Sequence, residues 1–454
     1  MMMWPKQAFL TLAALGALLA APHFVEPLKP FRLAGWSQIP RLLDFQPRPE
    51  TLAAVEEGLS EAGAAVGVVE DEALADPGHV LDDFYAALLR TERDEPGAVT
   101  RVLHYGDSPT TADLITADLR EQLQRRFGDA GHGLHLPARP WAWYGHRGVQ
   151  IRAKGWRIAP VTQRGEADGW YGVAGASFTG WDGASTEFTL RGRGHERMVV
   201  HYARGPGGGL MAVEVEGEEI AAVETGSEVA APGWWTVALP GGAREVELVV
   251  KRGPVRVFAV SFESSGPGVI YDSLGLNGAS AATLVYSQSE AHWAAQLRGV
   301  RPSLVVLNYG TNESGFDRYV ATTYREDVRK MIQRVKRALP GTPVLVMSPM
   351  DRGVRESAGE IGTVPALPGL VKIQREVALE EGCAFFNTFA SMGGAGTMGK
   401  WYSIQPRLVS ADFIHPLPAG GRIVANLLER SLMRGYNVYK LRLLRSAEVA
   451  EARP

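Results

Sequence analysis

Apolar residues along the chain fall into two kinds of pattern. In Val80–Arg90, residues Leu81, Phe84, Tyr85, Leu88 and Leu89 recur at helical spacing and predict an amphipathic helix. Thr51–Ala64 carries Leu52, Val55 and Leu59 at the same period. Val99–Tyr105 reads as a strand that stops at Gly106-Asp107-Ser108, and Thr110–Phe127 predicts a helix. Farther on, Pro302–Asn308 (PSLVVLN) and Pro343–Ser348 (PVLVMS) contain continuous apolar runs, as expected of parallel strands covered on both faces. Cys383–Asn387 predicts a third such strand, and Tyr324–Leu339, Val371–Glu381 and Arg422–Met433 predict helices. This βαβα alternation argues an α/β domain with a parallel sheet wrapped by helices.

From about Gly172 to Glu263 the period changes to two. STEFTLRG, RMVVHYAR, LMAVEVEG, WWTVALPG, REVELVVKRG and VRVFAVSFE follow one another, separated by Gly, Pro or polar turns. That is the signature of an antiparallel sandwich or jelly roll. The expected layout is an α/β domain in two parts, 51–150 and 266–445, interrupted by an all-β module over 151–265. A length of 454 residues fits more than one domain.

The N-terminus adds a destination. Ala8–Ala21 (AFLTLAALGALLAA) has no charged residue and follows Lys6. Its length suits a signal h-region and is short of the ~20 residues of a membrane span. Residues 1–25 are therefore expected to be a signal peptide or an inner-membrane anchor, and the proline-rich stretch 26–50 a tether. The expected location is periplasmic or cell envelope, secreted or anchored. The net charge of −3 gives no basis for nucleic-acid binding, which needs a basic surface. The single cysteine, Cys383 in GCAFFNTF, reads as a core residue and permits no intramolecular disulfide.

Candidate chemistry lies near the predicted loops. A hydroxyl attacks an ester when a base takes its proton and an oxyanion hole receives the charge. Ser108 follows a strand and begins a helix, which exposes its Oγ and aims its N–H outward. Asp412 and His415 stand three apart in SADFIHPLPAGG, so the carboxylate can orient the imidazole. Asn312 in NYGTNES can donate a side-chain amide, and Gly278 in LNGAS an unobstructed backbone N–H. Singly, each has a plain reading as a turn, a cap or a solvated loop. Their conjunction in order is the specific signal.

VLHYGDS around Ser108, LNGA around Gly278, GTNE around Asn312 and DFIH with Asp412 and His415 resemble the four blocks of SGNH, or GDSL, hydrolases. The resemblance implies a three-layer, flavodoxin-like hydrolase domain. It also implies a Ser108–His415–Asp412 triad and an oxyanion hole made by the Ser108 and Gly278 N–H groups and the Asn312 side chain. It implies no cofactor. Two departures are the long interval from Ser108 to Gly278, which the inserted module accounts for, and Pro109, where many relatives carry another side chain. The membrane-targeted N-terminus, FGDAGHG (Phe127–Gly133) and the inserted module are similar to bacterial peptidoglycan O-acetylesterases. The implied partner is an acetylated glycan; transfer of acetyl to a sugar hydroxyl and a non-catalytic glycan-binding scaffold are the alternatives.

Other residues bear on that picture. His132, His135 and His146, with His104 upstream, lie in or near a loop (GHGLHLPARPWAWYGHRG) that offers no carboxylate or thiolate, so no metal site is expected. Trp141, Trp143 and Tyr144 could line a sugar cleft or pack the junction to the β module, and Trp181, Trp234 and Trp235 could contact ligand or fill the module's core. MGGAGTMGKW (Met392–Trp401) lacks a phosphate-loop ending and is expected to be a mobile flap over the site.

Overall fold

The computed structural model describes residues 73–451 except 164, 193, 194 and 358, with side chains through Arg445. The expected signal or anchor, the tether and the Thr51–Ala64 helix lie outside the described residues.

Seventeen strands occur among them. In chain order they are β1 (Leu74–Ala75), β2 (Val99–Gly106), β3 (Gly131–His135), β4 (Val149–Pro160), β5 (Ala176–Leu190), β6 (Arg197–Arg204), β7 (Leu210–Val215), β8 (Glu218–Glu224) and β9 (Ala231–Ala238). They continue as β10 (Glu245–Arg252), β11 (Val255–Glu263), β12 (Gly268–Gly275), β13 (Leu304–Asn308), β14 (Val344–Met347), β15 (Gly353–Arg355), β16 (Ile361–Thr363) and β17 (Ala384–Phe386).

The first sheet runs β1–β17–β14–β13–β2–β12. Its last five members are parallel and β1 is antiparallel at the edge. Counted in chain order, the parallel strands lie 2-1-3-4-5, the flavodoxin-like order. The apolar runs are buried as their composition requires: every residue of β13 and β14 is buried. The chain moves to one side of β2 for β12 and to the other for β13. The carboxyl ends of β2 and β13 therefore meet at the switch point, where Gly106 pairs with Asn308. Ligand sites of open α/β sheets form there.

The second sheet has nine antiparallel strands. Its path is β8–β7–β10–β5–β11–β6–β9, with β4 beside β5 and β3 beside β11. The chain leaves the α/β sheet at Gly128 and returns at Val269, and the Val269 N–H donates to the Gly128 carbonyl at 2.9 Å. The antiparallel sheet begins upstream of residue 151, because β3 and the start of β4 already belong to it. Its core is continuous with that of the α/β sheet: Leu103 and Tyr105 share one apolar cluster with Phe178, Phe188 and Val257. A buried ion network bolts the two together. Arg101 of β2 reaches Glu263 of β11 at 2.7 Å and Asp272 of β12 at 2.6 Å, and Asp272 also accepts the Leu134 N–H of β3 at 2.7 Å. Burial opposes the charge on Glu263, but Arg101, Ser261 and Arg197 win and hold its carboxyl at about 2.

Three helices differ from expectation. The expected Thr110–Phe127 helix is broken into Ser108–Thr111 and Thr116–Phe127. Asp113 stands between them at φ +56°, and its carboxylate accepts bonds from Thr116 Oγ, the Arg120 guanidinium and the Arg147 N–H. That local acceptor competes with helix propagation. The helix expected at Val371 starts earlier, at Leu367, with a proline in its first turn. The closing helix runs Pro418–Glu451, well past Met433. Among the described residues, no helix is long and apolar enough to cross a membrane.

Candidate active site

β2 ends at Gly106, and the polypeptide turns through Asp107 into the one-turn helix that begins at Ser108. Two glycines allow this helix to sit on the sheet. A β-carbon at Gly106 would lie 2.1 Å from Thr110 Oγ, and one at Gly275 of β12 would lie 2.0 Å from the Thr111 nitrogen. Any side chain there would lift the turn off the strands. Pro109 fits the first turn, where no N–H partner is needed. The Ser108 N–H is likewise free of the helical ladder.

The three residues proposed for the relay come together. Ser108 Oγ lies 2.7 Å from His415 Nε2, and His415 Nδ1 lies 2.6 Å from Asp412 Oδ2, across 307 residues of chain between serine and histidine. Ser108 is only 8% exposed, whereas the His415 and Asp412 side chains are 42% and 47% exposed. The nucleophile is thus set into the floor and its base faces solvent. Asp412 is nevertheless fixed: Oδ1 accepts from the N–H groups of Ile414 and His415 and from Ser410 Oγ. Partial burial opposes its charge, but the bonds from Ser410, His415 and the backbone outweigh this and hold its carboxyl well below the usual carboxylate range.

The residues expected to donate to the oxyanion, Gly278 and Asn312, lie on two loops. Gly278 adopts φ +72°, a left-handed conformation that favours glycine, and the space above its Cα is open. Asn312 uses one amide hydrogen to bind the Ala279 carbonyl at 2.8 Å. Its second hydrogen remains for another acceptor. The arrangement can deprotonate a hydroxyl, hold the imidazole in one tautomer and offer amide donors to a nascent oxyanion.

Some contributors were not nominated from sequence. Asp107 and Glu313 adjoin the nominated residues and are buried. Burial pushes Asp107 up to about 6, against the pull of Thr311 and His415. Burial pushes Glu313 up to about 7, against the bond it accepts from the Ala281 N–H at 2.9 Å. Ser410 holds Asp412, and Ser-x-Asp is a turn signal that could have flagged it. MGGAGTMGKW is not a loose flap: Met392, Met398 and Trp401 are buried, Asp351 accepts the Met398 N–H and Thr363 Oγ accepts the Gly396 N–H.

The aromatic residues divide. Tyr144 is buried and accepts the Leu136 N–H, and Trp141 packs on the core. Trp143 is 52% exposed, in a loop joined to the nucleophile's helix by the Gly145 N–H to Thr111 carbonyl bond. Trp234 packs over Gly299 yet is 39% exposed, Trp235 packs on the core, and Trp181 is 49% exposed. His132, His135 and His146 do cluster, with His195 added (ring centroids 4.1–6.3 Å apart for the contacting pairs), and burial keeps His132 down at about 4. Among the described residues, no group of three His, Cys, Asp or Glu could hold a metal ion. His104 stands apart, bonded to Tyr271.

Residues 241–423 match the model of the GDSL-like lipase/acylhydrolase family. Over those residues the chain is similar to that family. The match spans Gly278, Asn312, Asp412 and His415; Ser108 lies outside it and joins the GDSL site through the geometry above. The solved structure named "Peptidoglycan O-acetylesterase in action, 5 min" superposes with a TM-score of 0.68 at 22% identity, covering 80% of this chain and 99% of its own. At that identity the likeness concerns the fold. The salicylyl-acyltransferase SsfX3 from a tetracycline biosynthetic pathway matches at 15% identity over 66% of this chain and 96% of its own, with a TM-score of 0.27. The C-terminal CBM6 of LamC from Zobellia galactanivorans matches at 10% identity over 26% of this chain and 99% of its own, with a TM-score of 0.19. Scores that low carry no argument. No curated protein matches the chain.

Proposed function

We propose that this chain is a serine O-acetylesterase of the GDSL type that removes acetyl groups from peptidoglycan or a related envelope glycan. The observation that carries it is the relay itself: Ser108 Oγ at 2.7 Å from His415 Nε2, with Asp412 at 2.6 Å from the opposite ring nitrogen. Ser108 Oγ attacks the acetyl carbonyl while His415 takes its proton. The Ser108 and Gly278 N–H groups and the Asn312 amide stabilise the oxyanion. His415 then returns the proton to the departing sugar hydroxyl, leaving an acetyl-enzyme. Water, deprotonated by His415, releases acetate.

Three features support the glycan. The solvent-facing His415 and Asp412 above the sunken Ser108 suit a polymer rather than a small enclosed ligand. The antiparallel sheet, read as an inserted jelly-roll module, supplies an exposed Trp181, and Trp143 stands beside the nucleophile's helix. The fold neighbour's name is that of a peptidoglycan O-acetylesterase. An assembled relay also speaks against a purely glycan-binding scaffold. For Ala8–Ala21 the reading remains export from the cytoplasm, tested by fractionating cells that express the full chain.

The deciding experiment is acetate release from native against chemically de-acetylated peptidoglycan. Release from the native polymer alone, reduced at least about a thousandfold by Ser108→Ala, is expected. Acetylated oligosaccharide as the main product would make the chain a transferase instead.

A further inference from the structure

Some arginines of the described surface face carboxylates: Arg325 and Arg329 meet Glu376 and Glu380, and Arg252 meets Glu224. Three arginines around the triad loop do not. Arg352, Arg355 and Arg407 form no ion pair with a carboxylate among the described residues.

Arg352 is seated on the loop that carries Asn312. Its Nη1 donates to the Thr311 carbonyl at 2.7 Å and lies 3.3 Å from Ser314 Oγ. The guanidinium rests on Gly315, where a β-carbon would come within 3.0 Å of Nη1. Its Nε and Nη2 donors have no partner among the described residues. Arg355 belongs to the β15–β16 hairpin and lies over the Phe413 ring, 5.4 Å from its centroid. Phe413 meets Tyr402 edge-on at 4.8 Å, and Arg407 lies over Tyr402 at 4.1 Å. Phe413 sits between Asp412 and His415 at φ +60°, and its carbonyl accepts the Gly353 N–H at 2.9 Å. The ladder Arg407–Tyr402–Phe413–Arg355 is therefore built into the triad loop.

Arg355 Nη1 donates to the Gly359 carbonyl at 3.4 Å, and the edge a ring-stacked guanidinium still presents can match a carboxylate in bidentate fashion. We infer that Arg352, Arg355 and Arg407 form a subsite for a carboxylate carried by the sugar that bears the ester. The substrate is then an acidic O-acetylated glycan, its negative group a uronate or an acid side arm, held beside Ser108. This rests on the esterase reading above and specifies its substrate.

The test compares O-acetylated N-acetylmuramic acid, its carboxyl methyl ester and O-acetylated N-acetylglucosamine as substrates of the full chain. Wild type is expected to prefer the acid over its methyl ester by about tenfold or more in kcat/KM, with the preference shrinking as salt rises. The ratio should fall toward unity in Arg355→Gln/Arg407→Gln, and KM for the acid should rise in Gly315→Ala, which displaces Arg352 without removing its charge. If the double variant fails to fold, the wild-type ratio still decides. Equal use of acid and methyl ester by wild type overturns the subsite. Hydrolysis of p-nitrophenyl acetate with no turnover of any of the three sugars overturns the glycan reading itself. A uronate source is separated from an acid side arm by running O-acetylated oligogalacturonate alongside: preference for it over the muramic acid assigns the subsite to uronates.

Discussion

Asn312 donates its side-chain amide to the Ala279 carbonyl at 2.8 Å, one residue past Gly278. The next residue, Glu313, accepts the Ala281 N–H at 2.9 Å. Two consecutive residues after β13 thus hold the loop that presents the Gly278 N–H. Asn312→Ala removes a donor and half of this latch. A fall in kcat of about 10²–10³-fold on p-nitrophenyl acetate is expected, with KM little changed. A fall of less than about threefold would remove Asn312 from the oxyanion hole.

Glu313 should make stability depend on pH. Its folded value of about 7 lies above the ordinary 4.5. As pH rises through that interval the unfolded chain ionises first, so the stabilisation present below it is lost by about pH 7 and changes little beyond. Glu313→Gln cannot titrate. The melting temperature of the variant relative to wild type should therefore increase between about pH 5 and about pH 8. A difference that stays flat across that range would show that Glu313 is ionised throughout.

Much of this site was legible in the sequence, and the reason is local. GDS after a strand, and Asp and His three apart before a helix, are short-range signals, and β13 and β14 announce themselves by unbroken apolar runs. β4 does not: VQIRAKGWRIAP is mostly exposed in its middle and keeps no clean alternation. β8 is exposed along most of its length and was equally silent. The break at Asp113 depends on Arg120 and Arg147, which no helical periodicity reveals. Gly106 and Gly275 look like ordinary turn glycines until the nucleophile's helix is seen resting on both. Buried charge is likewise invisible in one sequence, because Arg101 finds its partners 162 and 171 residues away.

Arg101→Met tests the bolt between the sheets. It leaves Glu263 and Asp272 buried without their cation, which should cost about 3–5 kcal/mol of stability and lower the denaturant midpoint. Loss of less than about 1 kcal/mol would show that the two sheets hold together by apolar contact alone.

Asp412→Asn keeps the shape of the relay and removes its charge. Because Asp412 stays ionised through the working pH range, the loss should be pH-independent from about pH 5 upward and of the order of 10²–10⁴ in kcat. Full activity of the variant would reduce Asp412 to a loop brace.

The most direct measurement is labelling of the full chain with a fluorophosphonate, followed by mass spectrometry of the modified peptide. The relay predicts one adduct, on Ser108, abolished by His415→Ala. No adduct on wild type, or an adduct on another residue with Ser108 unmodified, would contradict it.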